Sequence, residues 1–205
     1  MTASGTARRM TVIRRAFVLL GLMCIGGAAA AQSRGDPARG EALTKTCASC
    51  HGSAERAALP ATPSLAGQQS EFLVLQMFLF REGLREAPQM AGVLKDITDP
   101  DFFDIAAHYS RQPPTRSGGA PNAERHDRGA RLARDMGCGS CHLNDYSGQK
   151  QVPRIANQRE DYLVQAMKAY RDNRRTGSDT SMNGILYQVP DADIEALAHY
   201  LAHQR

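Results

Sequence analysis

The chain carries the pentapeptide Cys-x-x-Cys-His twice, at residues 47–51 and 138–142. Two thiols separated by two residues can reach both vinyl groups of one haem, and the histidine that follows then points at its iron. The repetition predicts two covalently bound haem c groups in one chain. The residues expected to hold them are Cys47, Cys50 and His51 in the first copy and Cys138, Cys141 and His142 in the second.

Two other uses of paired cysteines account for less of the pattern. A redox-active Cys-x-x-Cys pair does not need a histidine at the fifth position and would not usually carry it twice. A zinc site built from four cysteines would use all the thiols but leave both histidines unexplained. Haem attachment accounts for the cysteines and the histidines together.

An internal repeat of about ninety residues surrounds the two motifs. Residues 63–68 match residues 153–158, and the similarity continues into the segments that follow. A stretch rich in proline, glycine and serine separates the two copies. The repeat predicts two domains, 32–112 and 124–205, joined by a linker at 113–123.

Both copies are expected to be helical. Asp36 followed by Pro37 suits the start of a helix that runs through Gly40 and Leu43 to the first motif. Ser70 and the Asp-containing segments at 99–101 and 191–193 suit the starts of later helices. No segment alternates apolar and polar residues as a half-buried strand would. The predicted fold class is therefore all-α, with two tandem domains that are each a small helical bundle around one haem.

The segment 1–31 is predicted to be a cleaved signal peptide. Four arginines precede an apolar run at 16–25, which is too short to span a membrane, and the small residues Ala29-Ala30-Ala31 before Gln32 fit a cleavage site. We therefore expect the chain in the periplasm, with no membrane span after cleavage.

The net charge of the chain comes from this leader. The formal charge of +4 equals the four leader arginines, because the leader has no acidic residue. The remaining chain has no basic excess, and nucleic acid is not an expected partner. Its charge divides unevenly, with net −2 over residues 32–112 and net +2 over residues 113–205, an asymmetry that would orient redox partners.

Each motif histidine leaves one coordination position of its iron to fill. Met90 follows His51 in the first copy, and Met182 follows His142 at nearly the same spacing in the second, within a polar loop. This matched placement predicts Met90 and Met182 as the second ligands. Met77 and Met167 are expected in the core, and His108 and His199 are expected on a partly exposed surface without a metal role.

A proline follows each motif histidine at a similar spacing. Pro63 follows His51 in the first copy, and Pro153 follows His142 in the second. A carbonyl at either position would be able to accept a hydrogen bond from the far imidazole nitrogen and fix the ring. A simple turn role fits these prolines equally well.

With these features the chain resembles the dihaem class I cytochromes c, of the two-domain type called cytochrome c-four. The resemblance covers nearly all of residues 36–204 and rests on both Cys-x-x-Cys-His motifs, on the repeated segments and on residues 87–90. It implies His–Met ligation of both irons, two domains packed face to face, and haem propionates near their interface.

The function that follows is a periplasmic dihaem electron carrier of a respiratory chain, with no substrate chemistry of its own. It would have no such chemistry because a filled sixth position excludes substrate from both irons. It would deliver its electrons to a terminal oxidase or reductase. The alternative is the electron-transfer subunit of a periplasmic dehydrogenase, for example one that oxidises a sulfur compound. A dihaem peroxidase would need one open iron site, which the two methionines argue against. The expected partners are redox proteins: a membrane oxidase, a cytochrome complex or a dehydrogenase subunit.

Overall fold

The computed structural model describes Met1 and residues 35–52, 58–115, 119–175 and 180–204. Apart from Met1, the predicted leader lies outside these described residues. Within them the chain forms helices and turns, and the only strand-like pairing is an isolated bridge between Gln149 and Val152. The all-α prediction is confirmed. None of the described helices is both long enough and apolar enough to cross a membrane.

The helices fall into two successive groups. We call residues 35–115 the N-terminal half and residues 119–204 the C-terminal half. The N-terminal half contains α1 (Pro37–Leu43), α2 (Lys45–His51), α3 (Ser70–Arg81), a 3₁₀ turn (Pro88–Met90) and α4 (Asp99–Ser110). The C-terminal half contains α5 (Ala123–Asp135), α6 (Gly139–His142), α7 (Glu160–Arg171), α8 (Ser181–Leu186) and α9 (Asp191–Ala202).

The helix starts follow the capping signals in the sequence. The Asp36 carboxylate accepts hydrogen bonds from the backbone N–H groups of Ala38 at 2.9 Å and Arg39 at 3.4 Å, and Pro37 occupies the first turn of α1. At α4, Thr98 and Asp101 form a reciprocal capping box that satisfies two backbone donors. Helices α3, α4 and α9 begin at the predicted residues Ser70, Asp99 and Asp191.

The first and last helices of each half cross at a glycine. A Cβ placed on Gly40 of α1 would lie 2.0 Å from the carbonyl oxygen of Asp104 in α4. A Cβ on Gly129 of α5 would lie 2.1 Å from the carbonyl oxygen of Ala196 and 2.6 Å from Tyr200 Cβ, both in α9. Only a residue without a side chain lets these backbones approach so closely.

Two local structures differ from the sequence-based picture. The helix expected to run from Asp36 into the first motif is interrupted at Thr44, whose N–H bonds to the carbonyls of Gly40 and Glu41. Met182, expected in a loop over 176–183, lies in the short helix α8, while residues 176–179 are outside the described part. Periodicity alone could not locate either one-turn feature, because each is shorter than a single amphipathic repeat.

Each half has its own cluster of buried apolar side chains. In the N-terminal half Leu73, Ile105, Ala106 and Tyr109 form the centre. In the C-terminal half a larger set surrounds Ile194 and Leu197, both almost fully buried. Met77 packs against the first cluster and Met167 belongs to the second, so the expectation that these methionines lie in the core is confirmed.

Candidate functional site

Both motifs lie on short helices that end at the motif histidine. Helix α2 carries the first motif and ends at His51, and α6 carries the last four residues of the second motif and ends at His142. In each motif the first cysteine is half-buried against its apolar cluster, and the second is exposed. One thiol of each pair therefore faces the protein interior and the other faces outward.

Burial affects the inner thiols. It raises the pKa of Cys47 above its ordinary value, and it does the same for Cys138. The unmodified thiols are therefore held in the protonated form near neutral pH. Among the described residues all four motif cysteines are free of disulfides.

Both motif histidines are held by a proline carbonyl. His51 Nδ1 lies 2.9 Å from Pro63 O, and His142 Nδ1 lies 2.8 Å from Pro153 O. A carbonyl can only accept, so each imidazole carries its proton on Nδ1 and leaves the Nε2 lone pair available. The hydrogen-bonding role suggested by the sequence for these proline carbonyls is confirmed over the simple turn role.

The motif histidines are also kept neutral. Burial lowers the pKa of His51 and of His142 below the ordinary value, and the hydrogen bond to the proline carbonyl opposes this only in part. A neutral imidazole with a free Nε2 is the form that binds a metal. Each ring is therefore prepared, in protonation and in orientation, to bind iron through Nε2.

The predicted methionine ligands lie on one-turn elements outside the motif helices. Met90 ends the 3₁₀ turn and is half-buried, with its N–H bonded to Ala87 O at 2.8 Å. Met182 is half-buried in α8 and packs against the apolar cluster of its half. Their roles as ligands stay a prediction.

His199 does not lie where the sequence placed it. It was expected to be partly exposed, yet it is only 6% exposed, because α9 packs against both α5 and α7. Its Nδ1 bonds to Glu160 at 2.8 Å and its Nε2 accepts the N–H of Asn122 at 2.9 Å. Together with His203 these groups could approach a metal ion, but both ring nitrogens of His199 are already used in hydrogen bonds.

Two half-buried arginines meet at a tyrosine between the halves. Arg85 and Arg175 each approach the hydroxyl of Tyr162, at 3.4 Å and 3.3 Å. Burial alone would raise the pKa of Tyr162, but Arg175 and Arg85 outweigh it and lower the pKa to about 8. Among the described residues neither guanidinium group has a carboxylate within salt-bridge distance.

Sequence reasoning missed two buried glutamines that connect the halves. Gln68 bonds twice to the backbone of Arg154, and Gln158 bonds twice to the backbone of Ser64. We call this pair the cross-half glutamines. Their signal was in the repeat, because both end the matched six-residue segments, but one sequence does not show which backbone a glutamine faces.

These groups fit a covalently attached haem in each half. Two thiols and one histidine with an available Nε2 lone pair provide the attachment and ligand atoms, on α2 in the first half and on α6 with its preceding residue Cys138 in the second. Arg85 and Arg175 lack carboxylate partners among the described residues, and the buried Nε of Arg154 has no hydrogen-bond partner there. Half-buried cationic donors of this kind suit the propionate groups that haem carries.

Comparison with known proteins gives one consistent result. The family model described as cytochrome c matches residues 126–205. A curated relative named cytochrome c4, from Pseudomonas aeruginosa, is 30% identical over 88% of this chain and 94% of that protein. The crystal structure of reduced recombinant cytochrome c4 from Pseudomonas stutzeri superimposes with a TM-score of 0.77 at 28% identity, over 83% of this chain and 100% of that one.

A further relative is named for a different role. The thiosulfate dehydrogenase electron acceptor of Thiomonas intermedia is 29% identical over 78% of each chain. The fold is that of the class I cytochromes c. The similarity to cytochrome c4 over most of the chain confirms the resemblance found in the sequence. The chain belongs to the cytochrome c4 family of dihaem class I cytochromes.

Proposed function

We propose that this chain is a periplasmic carrier that takes electrons from one redox protein and passes them to a terminal oxidase or reductase. The chain is a dihaem electron-transfer protein, with two covalently bound haem c groups. When bound, each haem supplies a one-electron couple between ferric and ferrous iron. The location and the partners are the parts that we propose.

The attachment residues follow from the two motifs. Cys47 and Cys50 hold the first haem and Cys138 and Cys141 the second, each pair through two thioether bonds. The outward-facing cysteine of each pair places one attachment point near the protein surface, where a redox partner can approach. The inner cysteine packs against the apolar cluster and fixes the other side.

The ligands follow from the imidazole geometry. The observation that carries the proposal is the hydrogen bond from each motif histidine to a proline carbonyl, which leaves Nε2 free in both halves. His51 and His142 would therefore be the proximal ligands, and Met90 and Met182 would supply the second ligand of each iron. Thioether ligation stabilises the ferrous form and raises the potential into the range of a respiratory carrier.

Mass spectrometry of the protein purified from the periplasm tests attachment. We expect residues 32–205 plus two haems that survive denaturation, and one haem fewer when Cys138 and Cys141 are both replaced by alanine. A mass with one haem or none in the unaltered protein would contradict the proposal. A mass that retains residues 1–31 would contradict the proposed export.

A second candidate is the electron-accepting subunit of a periplasmic dehydrogenase. It is supported by the similarity to the thiosulfate dehydrogenase electron acceptor of Thiomonas intermedia. Affinity purification from the native cell separates the two candidates. Stoichiometric recovery of a larger catalytic subunit supports the second, and a free dihaem protein that a terminal oxidase oxidises directly supports the first.

A further inference from the structure

We propose that each half of the chain tunes the haem of the other half, through a hydrogen-bonded relay that begins at a cross-half glutamine. Gln158 acts on His51, and Gln68 acts on His142. The inference rests on the proposed ligand roles of these two histidines. It assigns to Gln68 and Gln158 a positioning role, since neither touches the motif residues directly.

The relay runs through a single peptide group. The amide that joins Pro63 to Ser64 accepts the His51 Nδ1 proton at its carbonyl oxygen, at 2.9 Å. The N–H of the same amide donates to Gln158 Oε1, at 2.8 Å. Carbonyl and N–H share one conjugated plane, so a bond at one end polarises the other.

The second relay repeats this arrangement in the opposite direction. The amide that joins Pro153 to Arg154 accepts the His142 Nδ1 proton at 2.8 Å, and its N–H donates to Gln68 Oε1 at 2.7 Å. The two relays therefore cross, because Gln158 of the C-terminal half leads to His51 of the N-terminal half, and Gln68 of the N-terminal half leads to His142 of the C-terminal half. Gln158 lies 94 residues from Ser64 along the chain, and Gln68 lies 86 residues from Arg154.

Each glutamine is held so that its oxygen must face the amide. Gln158 Nε2 donates to Ser64 O at 2.9 Å, and Gln68 Nε2 donates to Arg154 O at 2.9 Å. The two-bond contact fixes which end of each side-chain amide faces the N–H group. Both side chains are buried, with 7% and 6% exposure, so water does not compete for these bonds.

The direction of the effect follows from ligand basicity. A polarised proline carbonyl is a stronger acceptor, which draws the Nδ1 proton and makes the imidazole a more electron-rich ligand. An electron-rich ligand favours ferric iron and lowers the potential. Removal of the glutamine should therefore raise the midpoint of the haem in the other half.

The test uses Gln158→Met and Gln68→Met, which keep side-chain length and remove the hydrogen bonds. We expect Gln158→Met to raise only the midpoint of the haem at His51, by about threefold in the reduction constant, or about 30 mV at 59 mV per tenfold. Gln68→Met should act only on the haem at His142. A shift of both midpoints, or of the haem in the same half, would overturn the relay.

Gln69→Met is the matched control. Gln69 Nε2 also bonds across the halves, to Ser147 O at 2.8 Å and Gly148 O at 3.1 Å, but touches neither proline amide. Its replacement should leave both midpoints in place. If the control moves them as much as the relay variants do, the effect is a general loosening of the contact and the proposal fails.

Two readouts separate this inference from the haem assignment. In the reduced protein, Gln158→Met should expose the Ser64 amide to exchange and move the Nδ1 proton resonance of His51. Gln158→Glu keeps an acceptor at the Ser64 amide, so it should lower the midpoint at His51 more than that at His142. This variant tests the relay by itself if the methionine variants do not fold. Lost amide protection with an unchanged His51 midpoint overturns the relay, while the haem count by mass spectrometry judges the attachment independently.

Discussion

At the scale of single residues, the motif histidines show how a backbone carbonyl prepares a metal ligand. The sequence locates His51 and His142, but it leaves the tautomer open. The structure supplies it, because Pro63 O and Pro153 O accept from Nδ1 and direct Nε2 away from the backbone. The two methionines are the residues whose roles most need a direct experiment.

Replacement of the methionines tests the second ligands. Met90→Ala should abolish the absorption band that reports the methionine–iron bond of the first haem. It should also lower the reduction potential of that haem by a large part of the range of about 0.8 V over which axial ligands set haem potentials. Met182→Ala should do the same at the second haem. Each variant should leave the other haem almost unchanged, and Met77→Leu, a core replacement, should keep both bands. An unchanged spectrum in either alanine variant removes that methionine from the ligand set.

The Glu160–His199 pair makes stability depend on pH. Burial of Glu160 raises its pKa, but hydrogen bonds from His199 and Arg125 outweigh this and hold the pKa below its ordinary value of 4.5. The unfolded chain binds this proton more tightly, so the stabilisation is present above about pH 4.5 and is lost as the pH falls through the lower folded value.

Denaturant unfolding of Glu160→Gln measures this contribution. We expect a loss of about 1 kcal/mol at pH 7, because a charged acceptor is replaced by a neutral one, and a smaller difference from the unaltered protein at acid pH. Glu124→Gln, at an exposed position of α5, should cost almost nothing at either pH. A loss for Glu160→Gln that grows as the pH falls would reverse the sign and contradict the argument.

At the scale of the elements, the crossing of the first and last helices fixes each half. Gly40 and Gly129 let α1 approach α4 and α5 approach α9 at backbone distance. These crossings connect the helix that precedes each motif to the helix that closes the half. The segment that leads into each motif is therefore anchored to the last helix of its half.

An added methyl group at the crossings should be costly. Gly40→Ala and Gly129→Ala place a Cβ at 2.0 Å and 2.1 Å from a carbonyl oxygen, so we expect a loss of roughly 1–3 kcal/mol or more. A Cβ on Gly184 in α8 would meet no neighbour within 4 Å among the described residues, so Gly184→Ala should be neutral or stabilise by up to about 1 kcal/mol. Thermal unfolding of the three variants compares them, and equal stability of all three would contradict the close approach.

Some helix boundaries could be predicted from the sequence, and others could not. Starts at Ser70, Asp99 and Asp191 were predictable because caps and acidic first turns are local signals. The interruption at Thr44 and the helix around Met182 were not, since each depends on how a short segment packs. His199 was misplaced for a related reason: its burial comes from α5 and α7, which the sequence of α9 does not reveal.

At the scale of the whole molecule, residues 32–205 form one compact unit in which the halves share hydrogen bonds. Besides the cross-half glutamines, Arg159 Nη1 donates to Ala58 O at 2.9 Å and the Ala61 N–H donates to Asp161 at 2.9 Å. The repeat predicted two similar units but carried no information on their contact. The domain boundaries at 112 and 124 remain a prediction.

The two haems should have different potentials. Residues 113–205 carry net +2 and residues 32–112 net −2, and a positive surround disfavours the ferric state. His142 is also more buried than His51, which disfavours the extra charge of ferric iron in the same half. We therefore expect the second haem to accept the first electron.

Potentiometric titration followed by NMR should resolve two one-electron steps. Met90→Ala assigns them, since it should lower only the first haem's midpoint and widen the gap between the steps. Coincident midpoints, or a first electron that goes to the haem at His51, would contradict the charge and burial argument.

The crossed glutamine contacts have a consequence for the origin of the chain. Ser64 and Gln68 occupy the same repeat positions as Arg154 and Gln158. The glutamine of each half therefore bonds to the same repeat position in the other half. Such reciprocity is the property of an isologous interface between identical subunits. A single ancestral unit with this glutamine would already have been able to form a homodimer, and gene duplication would then have joined the two subunits without any need to invent a new surface.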